Sequence, residues 1–173
     1  MRLFAKLVAA VMCACIACTG CGCLKSDKAS CVRTGNSDSV MVAALGDSVS
    51  RVMLDARNVT VVNTSTDMPD SSPKRLRLNT SAVKTLQFLL EDPANYRSDK
   101  PVYGSFNPSV IFTFKSHRKE IGVQCDFGLG KFAIVGKDGS RLAIYDLGNR
   151  DMLRFASTLY PTDKLLHAIS NTK

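Results

Sequence analysis

Residues 109–146 read SVIFTFKSHRKEIGVQCDFGLGKFAIVGKDGSRLAIYD, and this stretch decides the fold. Runs rich in β-branched and aromatic residues alternate in it with short glycine-containing or charged segments, which is the pattern of strands joined by tight turns. The predicted strands are 110–115, 120–127, 131–135 and 141–145. Their connections are too short for the crossover that parallel strands need, which takes about a dozen residues. The stretch therefore predicts an antiparallel β-meander.

A helix is predicted before the meander, over residues 81–90. Its apolar residues recur at three- and four-residue spacing, so they lie on one helical face. Asn79 or Thr80 is suited to cap its N-terminus. Asp92 and Pro93 end it, because the residue before a proline avoids the helical conformation.

The rest of the chain completes an α+β pattern. Two further helices are predicted after the meander, over 150–159 and, more briefly, over 163–169. Before the first helix, residues 40–56 predict one short helix, 58–62 a strand, and the proline-containing segment 64–77 a surface loop. We therefore expect an antiparallel meander of about four to five strands with two or three helices packed on one face.

Composition limits the possible classes of protein. The chain has 173 residues, 45% of them hydrophobic, and a formal net charge of +8. Its first 20 residues are unusually apolar, and without them the composition is that of an ordinary soluble domain. A multi-span membrane protein, a disordered chain and a large multidomain enzyme are thereby excluded.

The N-terminus resembles a bacterial lipoprotein signal. Arg2 and Lys6 precede an apolar run over 7–18, which is too short to span a bilayer. Small residues then lead to Cys21, as in a lipobox, whose cysteine is lipidated and becomes the new N-terminus. Cys18 occupies a position where leucine is usual, which leaves the cleavage site open, with Cys18 and Cys23 as weaker candidates for lipidation. An ordinary signal peptide or an uncleaved anchor is a separate alternative.

These features divide the chain into three parts. Residues 1–20 are predicted to be a lipoprotein signal peptide, 21–39 a serine-rich flexible tether, and 40–173 a single α+β domain. The protein is expected to be exported and held to the bacterial cell membrane or outer membrane by lipid on Cys21.

The cysteines outside the leader suggest no metal site. Cys23 and Cys31 are able to pair in an oxidising compartment. Cys125 lies in an apolar run and is interpreted as a small buried hydrophobic residue. No metal or other cofactor is predicted, because no second Cys or His pair follows at ligand spacing.

Residues 59–164 resemble a family of small uncharacterised bacterial exported proteins and lipoproteins of Bacteroidetes type. The shared pattern comprises the helix at 81–90, Phe106-x-Pro108, a strand carrying Cys125, and a final helix before Pro161. That family has no established activity, so the resemblance implies fold and compartment only. Phe106 and Pro108 are interpreted as an aromatic plug and the start of a strand.

One catalytic motif is suggested by the sequence. Gly46-Asp47-Ser48-Val49-Ser50 resembles the first block of GDSL-type esterases, whose serine is the nucleophile. Asp163 and His167 would complete a triad with Ser48. Their spacing is one residue longer than the Asp-x-x-His of that family, and its parallel sheet conflicts with the predicted meander. Asp47 and Ser48 are better explained as caps of a short helix beginning near Val49.

Basic residues cluster in two places. The clusters are Lys74, Arg75 and Arg77, and Lys115, Arg118 and Lys119. They suggest an anionic partner such as a phospholipid surface or an envelope polymer, although exposed loops and hairpin tips also carry solvated basic residues. Nucleic acid is not expected, since no aromatic platform accompanies them.

The sequence thus predicts a membrane-anchored exported lipoprotein with a small non-enzymatic interaction domain. Its expected partners are the membrane, through the N-terminal lipid, and an envelope protein or anionic polymer. The alternatives are a GDSL-like esterase and an anion-binding surface protein of the envelope.

Overall fold

The structure is a computed structural model that describes residues 39–66, 68–98 and 104–171. The signal peptide, Cys21 and nearly all of the tether lie outside the described residues. Within the described residues the helices are α1 (Val40–Leu45), α2 (Asp47–Asp55), α3 (Thr80–Leu90), α4 (Asp151–Leu159) and α5 (Lys164–Asn171), with a 3₁₀ helix at Pro93–Tyr96. The strands are β1 (Asn58–Asn63), β2 (Arg75–Arg77), β3 (Val110–Ser116), β4 (Lys119–Asp126), β5 (Lys131–Gly136) and β6 (Arg141–Asp146).

The six strands form one open sheet in the order β2-β1-β3-β4-β5-β6, and every neighbouring pair is antiparallel. The α+β class and the meander over β3 to β6 are therefore confirmed. The predicted loop over 64–77 is wrong for its last three residues, which form the edge strand β2. Backbone pairing with β1 makes them a strand, and this pairing is not local in sequence.

One face of the sheet carries the hydrophobic core. Val61, Phe112, Val123 and Ile134 occupy one cross-strand row and are fully buried. Buried apolar residues of the five helices belong to the same cluster; examples are Met41, Met53, Leu86, Met152 and Leu166. Helices therefore cover this face, because each one buries its apolar stripe against the sheet.

The region of the GDSVS motif differs from the prediction. It forms two helices rather than one, and they meet at Gly46, whose φ of 78° favours glycine. The predicted capping by Asp47 and Ser48 is wrong, because Gly46 takes the N-cap position of α2 and no side chain caps that end. The hydroxyl of Ser50 donates 2.8 Å hydrogen bonds to the carbonyls of Met41 and Gly46, which ties α1 to α2.

Helix α3 begins and ends as predicted. The side chain of Asn79 caps it by accepting from the amide of Ala82 at 2.8 Å. The helix ends at Leu90, shortly before Pro93. Its Gln87 amide reaches α2 and donates to the carbonyls of Met53 and Leu54 at 2.8 and 2.9 Å. This contact satisfies carbonyls that the C-terminus of α2 leaves without an intrahelical partner.

Candidate functional site: the open face of the sheet

The second face of the sheet faces away from the helices. Strand register places two long rows of side chains on it. The first row is Arg77, Thr60, Thr113, Gly122, Val135 and Arg141, and the second is Arg75, Val62, Ile111, Gln124, Ala133 and Ile144. None of these residues belongs to the core cluster formed by the described part of the chain, although Gly122, Ala133 and Val135 are buried. We call the surface formed by these two rows the open face.

Arginines occupy both edges of the open face. Arg75 and Arg77 are exposed on edge strand β2. Arg141 is exposed on the opposite edge strand, β6. Neighbouring strands lie about 4.8 Å apart, so the five spacings between Arg77 and Arg141 separate them by about 24 Å.

The Arg141 side chain is held over the sheet edge by an aromatic ring. Its guanidinium carbon lies 4.9 Å from the ring centroid of Phe106, in a cation–π arrangement. Phe106 is only partly buried and lies outside the core cluster, so its interpretation as an aromatic plug is wrong. Its ring contacts an exposed cation because it lies in the loop that precedes β3 and not beneath the helices.

The predicted basic residues do not form one surface. Arg75, Arg77 and Lys115 share the open side of the sheet, where Lys115 pairs with Glu120 at 2.9 Å. The remaining three are placed elsewhere: Lys119 of β4 lies on the helix side, Lys74 precedes β2, and Arg118 lies in the β3–β4 turn. Strand alternation causes this division, since neighbouring residues of a strand point to opposite faces.

Ser48 lies in a cleft between α2 and the β3–β4 turn. The cleft has a volume of about 560 Å³, and its lining includes Asp47, Arg51, His117 and Lys119. Lys119 Nζ donates to Ser48 Oγ at 3.2 Å, and Arg51 pairs with Asp47 at 2.8 Å. The cleft is thus mixed in charge, and the hydroxyl of Ser48 contacts a lysine and not a base held by a carboxylate.

The other two residues of the suggested triad lie far from Ser48. Asp163 is fully buried and accepts from Asn63 at the far end of β1. Asn63 pairs with Val110, whereas Lys119 pairs with Ser116 at the opposite end of β3. Six residue steps of about 3.3 Å separate those two ends, which is about 20 Å. The structure therefore does not bring Ser48 and Asp163 together.

The third triad residue and the remaining oxygen of Asp163 also have structural partners. Asp163 Oδ1 accepts from the amide of Leu166 at 2.9 Å, so this carboxyl caps α5. A ring nitrogen of His167 lies 2.9 Å from the carbonyl oxygen of Pro161. Acyl transfer requires a nucleophile within hydrogen-bond reach of the histidine. Ser48 does not meet this requirement.

Sequence reasoning missed a buried charged row at one end of the open face. Asp126, Lys131 and Asp146 lie side by side on β4, β5 and β6 and are 5%, 4% and 4% exposed. Lys131 forms an ion pair with Asp146. Asp126 accepts from the amides of Asn107 and Leu129 at 2.7 and 2.9 Å, which fixes the loop that carries Phe106. In the sequence, only the predicted turns that join these three strands indicated that the three residues would be neighbours.

Neither Cys125 nor the possible metal-binding side chains of the described residues form a reactive site. Cys125 is fully buried as predicted, and burial raises the pKa of its thiol, which keeps it protonated. Across residues 39–66, 68–98 and 104–171, no three His, Cys, Asp or Glu side chains are grouped to hold a metal ion. No helix within these ranges is both long and apolar enough to cross a membrane.

Comparison with known proteins adds no relative. No protein-family model matches the chain, and neither the curated proteins nor the solved structures gave a match. The resemblance to Bacteroidetes-type exported proteins therefore stays a prediction.

Proposed function

We propose that this protein is an exported, lipid-anchored protein whose folded domain is a non-enzymatic interaction module with the open face as its binding surface. One observation carries the proposal: the described helices pack on one face of the sheet, whereas the other face presents exposed or partly exposed side chains on both sides of the buried Gly122, Ala133 and Val135. A sheet with a free face offers a partner a preformed surface without any rearrangement of the core.

The chemistry of the described residues supports binding more than catalysis. A hydrolase of the suggested type needs a nucleophile, a base and an orienting carboxyl in contact. Here Ser48 contacts Lys119, whereas Asp163 is engaged by Asn63 and by the start of α5. Ser48 and Asp163 therefore make separate structural hydrogen bonds and do not contact each other.

The anchoring half of the proposal rests on the N-terminal sequence. A short apolar run, small residues and Cys21 are the elements that a lipoprotein signal requires. Two acyl chains would hold the domain at a membrane surface without a spanning helix.

Intact mass and membrane fractionation test this half directly. We expect the protein expressed in a bacterial host to carry a diacyl mass increment and to sediment with membranes, and the Cys21→Ala variant to lose both. Cys23→Ala and Cys31→Ala are matched controls that should keep both. An unmodified full-length product in the cytoplasm would contradict export and anchoring.

A further inference from the structure

We propose that the open face binds an acidic polypeptide segment that also carries apolar side chains, laid across the strands between Arg77 and Arg141. The inference rests on the proposed function and specifies the class of partner for the same surface. It follows from the charges at the two edges, the apolar residues between them, and the distance that separates the edges.

The charge at the edges selects an anionic partner. Arg75 and Arg77 at one edge and Arg141 at the other are all exposed. The two open-face rows contain no acidic residue. Glu120, beside the first row, is paired with Lys115, and Asp126 and Asp146, beside the second row, are buried, with Asp146 paired with Lys131. Arginine forms bidentate hydrogen bonds with carboxylates, so both edges are suited to acidic side chains.

The middle of the open face selects apolar groups. Val62, Ile111 and Ile144 lie in one row and are partly exposed, whereas Ala133 of that row and Val135 of the adjacent row are buried. Leucine- or valine-sized side chains of a partner would remove this apolar surface from water, which is the main favourable contribution to such an association. A polyanion without apolar groups would leave these side chains exposed to water.

The adjacent row supplies polar contacts between the arginines. Thr60 and Thr113 are neighbours in it, and Gln124 lies in the apolar row beside them. All three are partly exposed, so their hydroxyl and amide groups are able to bond with peptide groups. A peptide backbone offers the matching donors and acceptors along its whole length, whereas a lipid surface presents headgroups over apolar chains.

The separation of the arginines sets the length of the partner segment. An extended chain advances about 3.3 Å per residue, so a span of about 24 Å corresponds to seven or eight residues. We therefore expect acidic residues near both ends of a segment of this length, with apolar residues between them.

Fluorescence anisotropy with defined peptides tests the proposal. The probe is a labelled ten-residue peptide with two glutamates at each end and alternating leucine and threonine between them. One control peptide carries lysine in place of glutamate, and a second carries serine in place of leucine. The full-length protein is used in a neutral detergent, with detergent alone as the blank.

The expected result has two parts. The glutamate–leucine peptide binds, and its affinity falls as salt rises because charge pairs at an exposed rim are screened. The double variant Arg77→Glu/Arg141→Glu weakens binding at least tenfold. Lys84→Glu/Lys164→Glu, which makes the same charge change at exposed positions on α3 and α5, changes it less than twofold.

Three results would overturn the inference. Equal binding of the serine control peptide would mean a general anion surface, and equal weakening by the α3/α5 variant would mean that net charge alone acts. Failure of the probe peptide to bind, together with Arg77- and Arg141-dependent sedimentation with phosphatidylglycerol-containing vesicles, would assign the face to a lipid surface. Neither the peptide nor the vesicle result depends on the Cys21 mass shift, so the anchoring proposal stands or fails separately.

Arg77→Gln/Arg141→Gln repeats the test without charge reversal, and circular dichroism verifies that each variant is folded.

Discussion

Asn63 and Asp163, 100 residues apart in the chain, are joined by a buried 2.6 Å hydrogen bond from the amide Nδ2 to the carboxyl Oδ2. Asn63 ends β1, and Asp163 caps α5. Asn63 Oδ1 also accepts from the amide of Ser65 at 2.7 Å, so this side chain bonds in two directions. The pair fastens the C-terminal helix to the sheet and explains why Asp163 is structural.

Asn63→Leu should therefore destabilise the fold. The substitution leaves the Oδ2 atom of Asp163 buried without its donor, and we expect the free energy of unfolding to fall by about 2 kcal/mol. Asn79→Ala, which removes an exposed helix cap, is the matched control and should cost about 1 kcal/mol. Urea denaturation of both variants measures the difference, and an Asn63 variant as stable as the wild type would contradict a role for this bond.

Gln87→Glu should weaken the contact between α3 and α2. The wild-type amide donates to the carbonyls of Met53, Leu54 and Ala56, and a carboxylate would face the same oxygens with no proton to donate. We expect a loss of about 2 kcal/mol at pH 7. Near pH 4 the loss should shrink, because a protonated carboxyl donates again. A loss that is the same at both pH values would argue against this mechanism.

Gly148→Ala should be among the most harmful small substitutions. A Cβ at this position would overlap the backbone carbonyl group of Ala94, which belongs to the 3₁₀ helix, so backbone has to move. We expect a loss of about 3 kcal/mol. Gly139→Ala meets no atom within 4 Å but places alanine at a φ of 81°, which costs about 1 kcal/mol. Thermal unfolding of both variants ranks them, and the reverse order would contradict the close approach at Gly148.

Tyr160→Phe should change stability in a pH-dependent way. Tyr160 is 2% exposed, its hydroxyl donates to the carbonyls of Val61 and Lys74, and burial raises its pKa to about 12. An unfolded tyrosine loses its proton near pH 10, so the wild-type protein loses stability as pH rises from about 10 to 12.

The phenylalanine variant should lose about 1 kcal/mol at pH 8, where the hydroxyl is protonated in both states. Its disadvantage should shrink between pH 10 and 11, since phenylalanine does not ionise. Urea denaturation of both proteins at pH 8, 10 and 11 measures this difference, and a constant gap would contradict the raised pKa. Burial also raises the pKa of Cys125 and of Tyr96, so the variant keeps part of the alkaline sensitivity.

The sequence predicted those elements whose pattern is complete within a few residues. The meander follows from strand-forming runs and short turns, and α3 follows from its apolar spacing and its Asn79 cap. Strand β2 was missed because it has only three residues, which is too short for a recognisable strand pattern. These residues form a strand only through their pairing with β1. The break at Gly46 was missed because one helix and two helices have nearly the same apolar spacing.

The candidate site was predicted in part. Arg75, Arg77 and Lys115 were selected as basic residues, whereas Arg141 was not, since it stands alone in the sequence. Strand register across the sheet places Arg141 in one row with Arg77.

By itself, the sequence determined the α+β class and the order of the four meander strands, because turn length and side-chain alternation are local properties of the chain. Only the tertiary structure decided which basic residues share a face and where the triad candidates lie. Those relations depend on pairing between distant segments such as Thr60 with Arg77, and on contacts such as Asn63 with Asp163. No local pattern encodes them, since they arise when distant strands pair and the helices bury one face of the sheet.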